Sequence, residues 1–458
     1  MISYIRLHNF KSFSDVYLDL RGAYGVPKKV SFIYGENGSG KSNLMLSMLF
    51  LYQSFSTRKN QIKWQNTELS DFEMNQKEIP EEVIQLFKSF RIKESSLSEI
   101  IKNYWMIDND ASMEVEIGFY HKSKSGHYYT RFSKDRITEE KLYFTVNERA
   151  GVIFSITESE NKLSPSVFFD PKYKKEIVDN IEKYWGKHTL MSILYGELET
   201  KNMEYINKRV SSVLISVLEI LQKGSVLYKG SSQEAGRFSV PYRFLQNLDS
   251  GEIKSQNNSE LLAFEKALNI FFTQLYSDIK EVHYVFSKKE EGYHYELYFD
   301  KICGERVRSI PVSLESTGTK KLLDIFPLLF ACICNSTVFI DEIDTGIHDL
   351  LMTETVSILK ESLDKTEEGQ IIATTHNTLL LDTLEPESIY VLQSKVNGEK
   401  EICSIADYGI RTQKNNSVRH KYLKGLYQGI PETGYLDLGE LVSDINFNLN
   451  EQSEKEGD

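Results

Sequence analysis

Apolar and polar residues alternate over Ile2-Ser3-Tyr4-Ile5-Arg6-Leu7-His8-Asn9-Phe10 and again over Val16-Tyr17-Leu18-Asp19-Leu20, which predicts two strands near the start of the chain. Val30-Ser31-Phe32-Ile33-Tyr34 is different: a nearly continuous apolar run with β-branched and aromatic residues, the pattern of a strand covered on both faces. Residues 43–51 follow with no helix breaker and predict a helix; residues 54–77 are polar without a clear period. Strict alternation returns over Met113-Glu114-Val115-Glu116-Ile117-Gly118-Phe119-Tyr120 and continues in that style through 128–132 and 141–156, as in an antiparallel meander. From about Pro171 the period becomes helical, with Ile206, Val210, Val213, Leu214, Val217 and Leu221 on one face and Leu261, Phe264, Leu268 and Phe272 on another. Between them, 229–260 is rich in Gly, Ser and Asn and reads as a long loop. Strands resume at 282–286 and 293–299, and two short apolar runs, Thr337-Val338-Phe339-Ile340 and Gln370-Ile371-Ile372-Ala373-Thr374, complete the set. No heptads are sustained, so no coiled-coil arm is expected.

This pattern predicts an α/β protein: a nucleotide-type core with a mixed sheet, an attached antiparallel β meander and a helical insertion. The expected division is an N-terminal lobe over 1–170, the insertion over 171–280, a C-terminal lobe over 281–400 and an extension over 401–458.

Composition narrows the picture only a little. The net charge of −12 excludes nucleic-acid binding through overall charge, so any such contact needs a local basic patch. Arg411, Lys414, Arg419, His420, Lys421 and Lys424 form one; it suits nucleic acid, an acidic partner surface or an ordinary solvated face. Cys303, Cys332, Cys334 and Cys403 are too few and too scattered for a disulfide scaffold or a four-ligand zinc site, which points to a reducing compartment. No run reaches membrane-spanning length and the first residues do not begin a signal peptide, so a cytoplasmic protein is expected. Asp108-Asn109-Asp110 reads as a turn entering the meander, and the acidic residues 451–458 as a disordered tail.

The candidate chemistry centres on Gly35-Glu36-Asn37-Gly38-Ser39-Gly40-Lys41-Ser42, a complete G-x-x-x-x-G-K-[ST] phosphate-binding loop between a predicted strand and a predicted helix. Glycines let successive N–H groups turn inward on a phosphate, and the helix start adds partial positive charge. Lys41 then reaches the β- and γ-phosphates, and the Ser42 hydroxyl is a ligand for Mg²⁺. The apolar run 337–340 ends in Asp341-Glu342; Asp341 suits the Mg²⁺ shell and Glu342 a general base on the attacking water. The run 370–374 leads to His376, either a solvated strand-end histidine or a γ-phosphate contact. Ser313-Leu314-Glu315-Ser316-Thr317-Gly318-Thr319-Lys320-Lys321 precedes another helix; it is an ordinary capped start or one that holds a phosphate.

With Phe10-Lys11-Ser12-Phe13 near the start, this set resembles the ATPase heads of the SMC/RecF/OLD branch of the ABC superfamily. The resemblance makes Glu315-Ser316-Thr317-Gly318-Thr319-Lys320 a degenerate ABC signature, Asp341-Glu342 the Walker B pair, Asp344-Thr345-Gly346-Ile347-His348 a D-loop and His376 the switch histidine. It implies an ABC-type P-loop NTPase fold, ATP and Mg²⁺ as ligands, and two heads sandwiching two ATP molecules, with Ser316 and Gly318 acting in trans. Thr317 and Thr319 depart from the transporter signature, which argues against a membrane transporter subunit. No Q-loop glutamine is assigned. The compact layout, with Tyr422-Leu423-Lys424-Gly425-Leu426-Tyr427-Gln428-Gly429-Ile430-Pro431, is more similar to stand-alone ATPases of bacterial phage-defence and abortive-infection systems, the RloA/AbiL-like group. That implies a separate effector, often a nuclease, from a neighbouring gene. No Glu plus D-x-D set follows Leu392, so a fused Toprim nuclease is not expected. The alternative implied by the same branch is a DNA-binding ATPase of recombination or repair.

Overall fold

Each central strand presents alternate residues to two different hydrophobic cores. Ile33, Phe339 and Ile372 face one core, while Phe32, Tyr34, Val338, Ile340, Ile371 and Ala373 face the other. Burial on both faces is why these strands read as continuous apolar runs rather than alternating ones. The computed structural model of the chain describes residues 1–66, 95–146, 149–229, 234–256, 258–290, 292–395, 397–409, 417–430, 437–443 and 445. Residues 67–77 of the polar segment, Arg411, Lys414, Pro431 and the tail 451–458 lie outside them.

The central sheet has the order Glu234–Arg237, Gly224–Lys229, Thr337–Ile340, Gln370–Thr374, Val30–Gly35, Ile389–Ser394, Lys400–Ser404. The five inner strands are parallel and the two edge strands antiparallel, so the sheet is mixed. One face carries the helix Lys41–Asn66, with Leu44, Met45, Leu46, Met48, Leu49, Phe50 and Leu51 all buried. A helix apolar around its whole circumference needs cover on every side. The second, seven-stranded sheet supplies it: Phe13–Asp19, Ile2–Phe10, Met113–His121, Lys124–Phe132, Ile137–Val146, Arg149–Thr157 and Asn161–Leu163, antiparallel throughout. The expected α/β fold with an attached antiparallel meander is therefore present. The opposite face of the central sheet packs against the helices Ser259–Leu275, Thr317–Ile333 and Asp349–Asp364 and a small sheet built from Ser250–Ile253, Ile279–Lys289, Gly292–Cys303 and Arg306–Pro311.

Three local expectations change. The helix predicted over 43–51 starts at Lys41 and runs on to Asn66, through residues whose polarity hid it. The stretch 229–260 is not a plain loop: Glu234–Arg237 and Ser250–Ile253 are strands. And Gly224–Lys229, within the stretch read as a helical insertion, joins the central sheet beside the acidic strand. The helices of that stretch are Pro171–Tyr184, Leu190–Thr200, Met203–Asn207, Ser212–Gln222 and Ser259–Leu275. Asp108-Asn109-Asp110 does form a turn, with the Trp105 indole donating to the Asn109 carbonyl (2.8 Å) and Ala111 N–H to Asn109 Oδ1 (2.9 Å). No described helix is long and apolar enough to cross a membrane.

The meander is fastened to the helices 171–200 by buried polar groups. Glu140, fully buried, accepts from Leu190 N–H (2.6 Å), Met191 N–H (3.1 Å), Tyr128 O–H (2.8 Å) and Trp185 Nε1–H (3.0 Å). Burial still raises its carboxyl above the usual range. Nearby, His188 shares a 2.9 Å hydrogen bond with Thr57 Oγ1 of the phosphate-loop helix. Burial, then Arg58 and Lys187, lower His188 to about 4. An unfolded chain keeps its histidine near pH ~6.5, so between that value and about 4 the unfolded state binds the extra proton. Stability is full above this window and declines as the pH falls through it, by up to about 3 kcal/mol. Urea unfolding at pH 7 and pH 5 checks this: the loss between the two should shrink in His188→Gln, and an unchanged loss would exclude His188 as its source.

Candidate nucleotide site

The C-terminal ends of the parallel strands deliver Gly35, Asp341, Thr374 and Leu392 to one edge of the sheet, where ligands bind in open α/β folds. The phosphate loop wraps from that edge into its helix. Gly40 has φ +108°, and a Cβ there would meet the Phe13 ring at 2.8 Å, so only glycine fits. Asn43 Nδ2 donates to Ser12 Oγ (2.8 Å), so Ser12 and Phe13 brace the loop from outside. Lys41 is 6% exposed, and its ammonium donates to the carbonyls of Gly35 (2.8 Å) and Glu36 (2.9 Å). Burial lowers its pKa, opposed by Asp341, Glu342 and Asp344.

The two acids are set by one hydroxyl. Thr374 Oγ1 donates to Asp341 Oδ1 (2.7 Å) and accepts from Glu342 N–H (2.7 Å). Glu342 sits at φ +48°, a left-handed conformation costly for a non-glycine residue, and the Thr374 bond helps to hold it there. Thr345 Oγ1 donates to Glu342 Oε2 (3.1 Å). Burial raises the Asp341 carboxyl, offset by Thr374 and the nearby Ser42 hydroxyl. Asp341 Oδ2 is buried without a hydrogen-bond partner, as is Ser39 Oγ within the loop. Buried polar groups are normally satisfied. Hard oxygen donors from Ser42 and Asp341, one of them orphaned, fit Mg²⁺, and the inward-turned loop fits a phosphate chain.

His376 is exposed at the rim, and its backbone N–H donates to the Asp344 carboxylate (3.2 Å to the nearer oxygen). Desolvation, then the Lys41 charge, lower its pKa, with Asp344, Glu342 and Asp341 opposing. Lys41, Ser42, Asp341, Glu342 and His376 thus lie close together at this edge of the sheet. Among the described residues, no hydrogen bond joins Ser316 or Gly318 to them. Ser316 Oγ caps its own helix through Thr319 N–H (3.1 Å), and both Ser316 and Thr317 are exposed. Gly318 instead approaches the D-loop stretch, where a Cβ would meet the Gly346 carbonyl at 2.9 Å. Of the two lysines after them, Lys320 donates to the Ser313 carbonyl (2.5 Å) and Lys321 is buried.

A profile of the AAA ATPase domain family matches residues 1–381, most of the chain. The chain belongs to that family. Membership in the AAA ATPase domain family makes it a P-loop ATPase, with nucleotide binding as the family property. No curated protein matches it. Among solved structures, an SMC head bound to the C-winged helix domain of ScpA is 14% identical, covering 88% of this chain and 97% of that one, with TM-score 0.40. The SMC head domain from Thermotoga maritima is 15% identical (88% and 98% covered, TM-score 0.35). An Smc head with an extended coiled coil, bound to the C-terminal domain of ScpA derived from Pyrococcus furiosus, is 14% identical (93% and 99% covered, TM-score 0.36). The details of the site stand on this chain's own geometry.

Sequence reasoning missed Thr374, which orders both acids, and the Ser12–Asn43 brace. It also missed how the C-terminal extension meets the phosphate loop. The Tyr422 ring packs edge-on against Tyr34 (5.5 Å between centroids), and a Cβ on Gly429 would lie 3.5 Å from Gly35 Cα. A cleft of about 940 Å³ opens beside the loop between Glu36, Lys395, Glu401, Lys424 and Gln428. The position of Thr374, two residues before His376 on a strand beside the acids, was the available signal.

Proposed function

We propose that two copies of this chain close around ATP, that hydrolysis reopens the pair, and that the cycle regulates a separate effector, a nuclease, in bacterial antiviral defence. The observation that carries the reading is the split of the motifs. Phosphate loop, acids and histidine lie together at one sheet edge, while Ser316 and Thr317 stand exposed and, among the described residues, make no hydrogen bond to them. Leu314, two residues before Ser316, is 76% exposed, and Leu350, in the first turn of the helix Asp349–Asp364, is 65% exposed. A second copy placed head-to-tail would bring its Ser316 and Gly318 to the γ-phosphate and cover those leucines. Lys41 and the loop amides bind the phosphates, and Ser42 and Asp341 would hold Mg²⁺, which would supply positive charge to offset that of the phosphates. Glu342 takes the proton of the attacking water, and His376, held toward its neutral form, contacts the γ-phosphate. The packing of Tyr422 and Gly429 on the phosphate loop offers a path from nucleotide state to a partner on the C-terminal extension. The defence assignment rests on the RloA/AbiL-like resemblance.

Mixing two inactive variants tests the composite site. Lys41→Ala keeps an intact signature and Ser316→Arg an intact phosphate loop, so mixed pairs carry one complete site. With random pairing, ATPase activity should return to about a quarter of wild type. No recovery, with both variants folded, would exclude action in trans. Stimulation of hydrolysis by DNA, with steep salt dependence, would favour the recombination-type ATPase instead.

A further inference from the structure

On the small sheet, far from the phosphate loop in sequence, Glu281, His283 and Asp300 offer one ligand atom each, all within 4.8 Å of one another. Strand pairing puts them there. Glu281 lies directly opposite Asp300 and His283 opposite Tyr298, while Val282, Tyr284, Leu297 and Phe299 are buried in the core on the other face. A register shift between Ile279 and Glu281 adjoins the group, the kind of irregularity that re-aims side chains. Two carboxylates directly opposite across neighbouring strands repel each other. Among the described residues no lysine or arginine is paired with either. Independently, His283 Nδ1 and Asp300 Oδ1 are both buried without a hydrogen-bond partner, a state that ordinary folding avoids.

We propose that Glu281, His283 and Asp300 form a binding site for a divalent transition-metal ion of the zinc class. One imidazole and two carboxylates suit Zn²⁺ or Co²⁺ better than Mg²⁺, which favours all-oxygen sets, and three protein ligands leave the fourth position to water. The ion cancels the carboxylate repulsion, satisfies both orphaned atoms and clips two strands together. The clip lies one residue from Lys301, whose ammonium donates to Glu315 (2.8 Å) at the start of the signature.

The test uses the full chain, stripped with a chelator and free of nucleotide. Zn²⁺ is titrated by calorimetry, and Co²⁺ is followed by its d–d absorption. One equivalent per chain should bind, without the charge-transfer band of thiolate ligation. Asp300→Asn and His283→Ala should each weaken binding by more than about tenfold, since losing even an outer-shell partner costs that much. Metal-free Asp300→Asn should melt no lower than the metal-free wild type, because it removes a repulsion; it decides the question if His283→Ala does not fold. Absence of a saturable equivalent, unchanged binding in the variants, or a thiolate band would overturn the proposal. None of these readouts needs ATP or pairing, so failure here is distinct from failure of the ATPase reading.

Discussion

Lys41→Ala should abolish nucleotide binding and hydrolysis together. The ammonium lies inside the phosphate loop's turn, held by the Gly35 and Glu36 carbonyls. Each charge-assisted bond to a phosphate oxygen is worth roughly 1.5–3 kcal/mol. Losing contacts to two phosphates therefore costs about 3 kcal/mol or more, over about a hundredfold in affinity. Fluorescent ATP-analogue binding and phosphate release measure the two effects. The fold should persist, because the loop conformation rests on its glycines and on the Ser12–Asn43 bond. A variant that binds nucleotide with wild-type affinity would remove this loop from the site.

Glu342→Gln should separate what Lys41→Ala joins. Glutamine keeps the size of the side chain and an acceptor for Thr345 Oγ1, but it cannot take a proton from water. General-base catalysis contributes about 10²–10⁴-fold, so hydrolysis should fall by that factor while ATP binding is kept. Because ATP then persists, the closed pair should accumulate by mass action. Light scattering with Mg-ATP should show a dimer in Glu342→Gln, and nucleotide-free protein should not. Normal turnover in this variant would refute the general-base assignment; a monomer with ATP bound and unhydrolysed would refute the pairing.

What could be read from the chain follows from how far apart the deciding residues are. The strand, loop and helix around Gly35 to Ser42 are contiguous, so backbone freedom, apolar run and motif spacing announced them together. The strict alternation over 113–120 reflects a strand with one face on the core, and Val115, Ile117 and Phe119 are indeed fully or almost fully buried. Gly224–Lys229 escaped because only Val226, Leu227 and Tyr228 of its six residues are apolar, and its partner begins at Thr337. The polar half of the helix Lys41–Asn66 escaped because distant partners hold it: Ser192 Oγ accepts from Arg58 N–H (2.8 Å) and shares a 3.0 Å hydrogen bond with Thr57 Oγ1, while Phe55 packs on Tyr128 and Tyr195.

Local pattern, spacing and residue chemistry thus determined from sequence alone the α/β class, the phosphate loop, the paired acids and the histidine. Only the tertiary structure decided that the histidine strand lies between the acidic and phosphate-loop strands, that Thr374 orders both acids, and that Ser316 is exposed with its hydroxyl turned to capping its own helix. The physical reason is that strand order, a buried hydroxyl's two bonds and the facing of a helix start are each set by partners distant along the chain. No period or motif in the intervening residues encodes which partner is met.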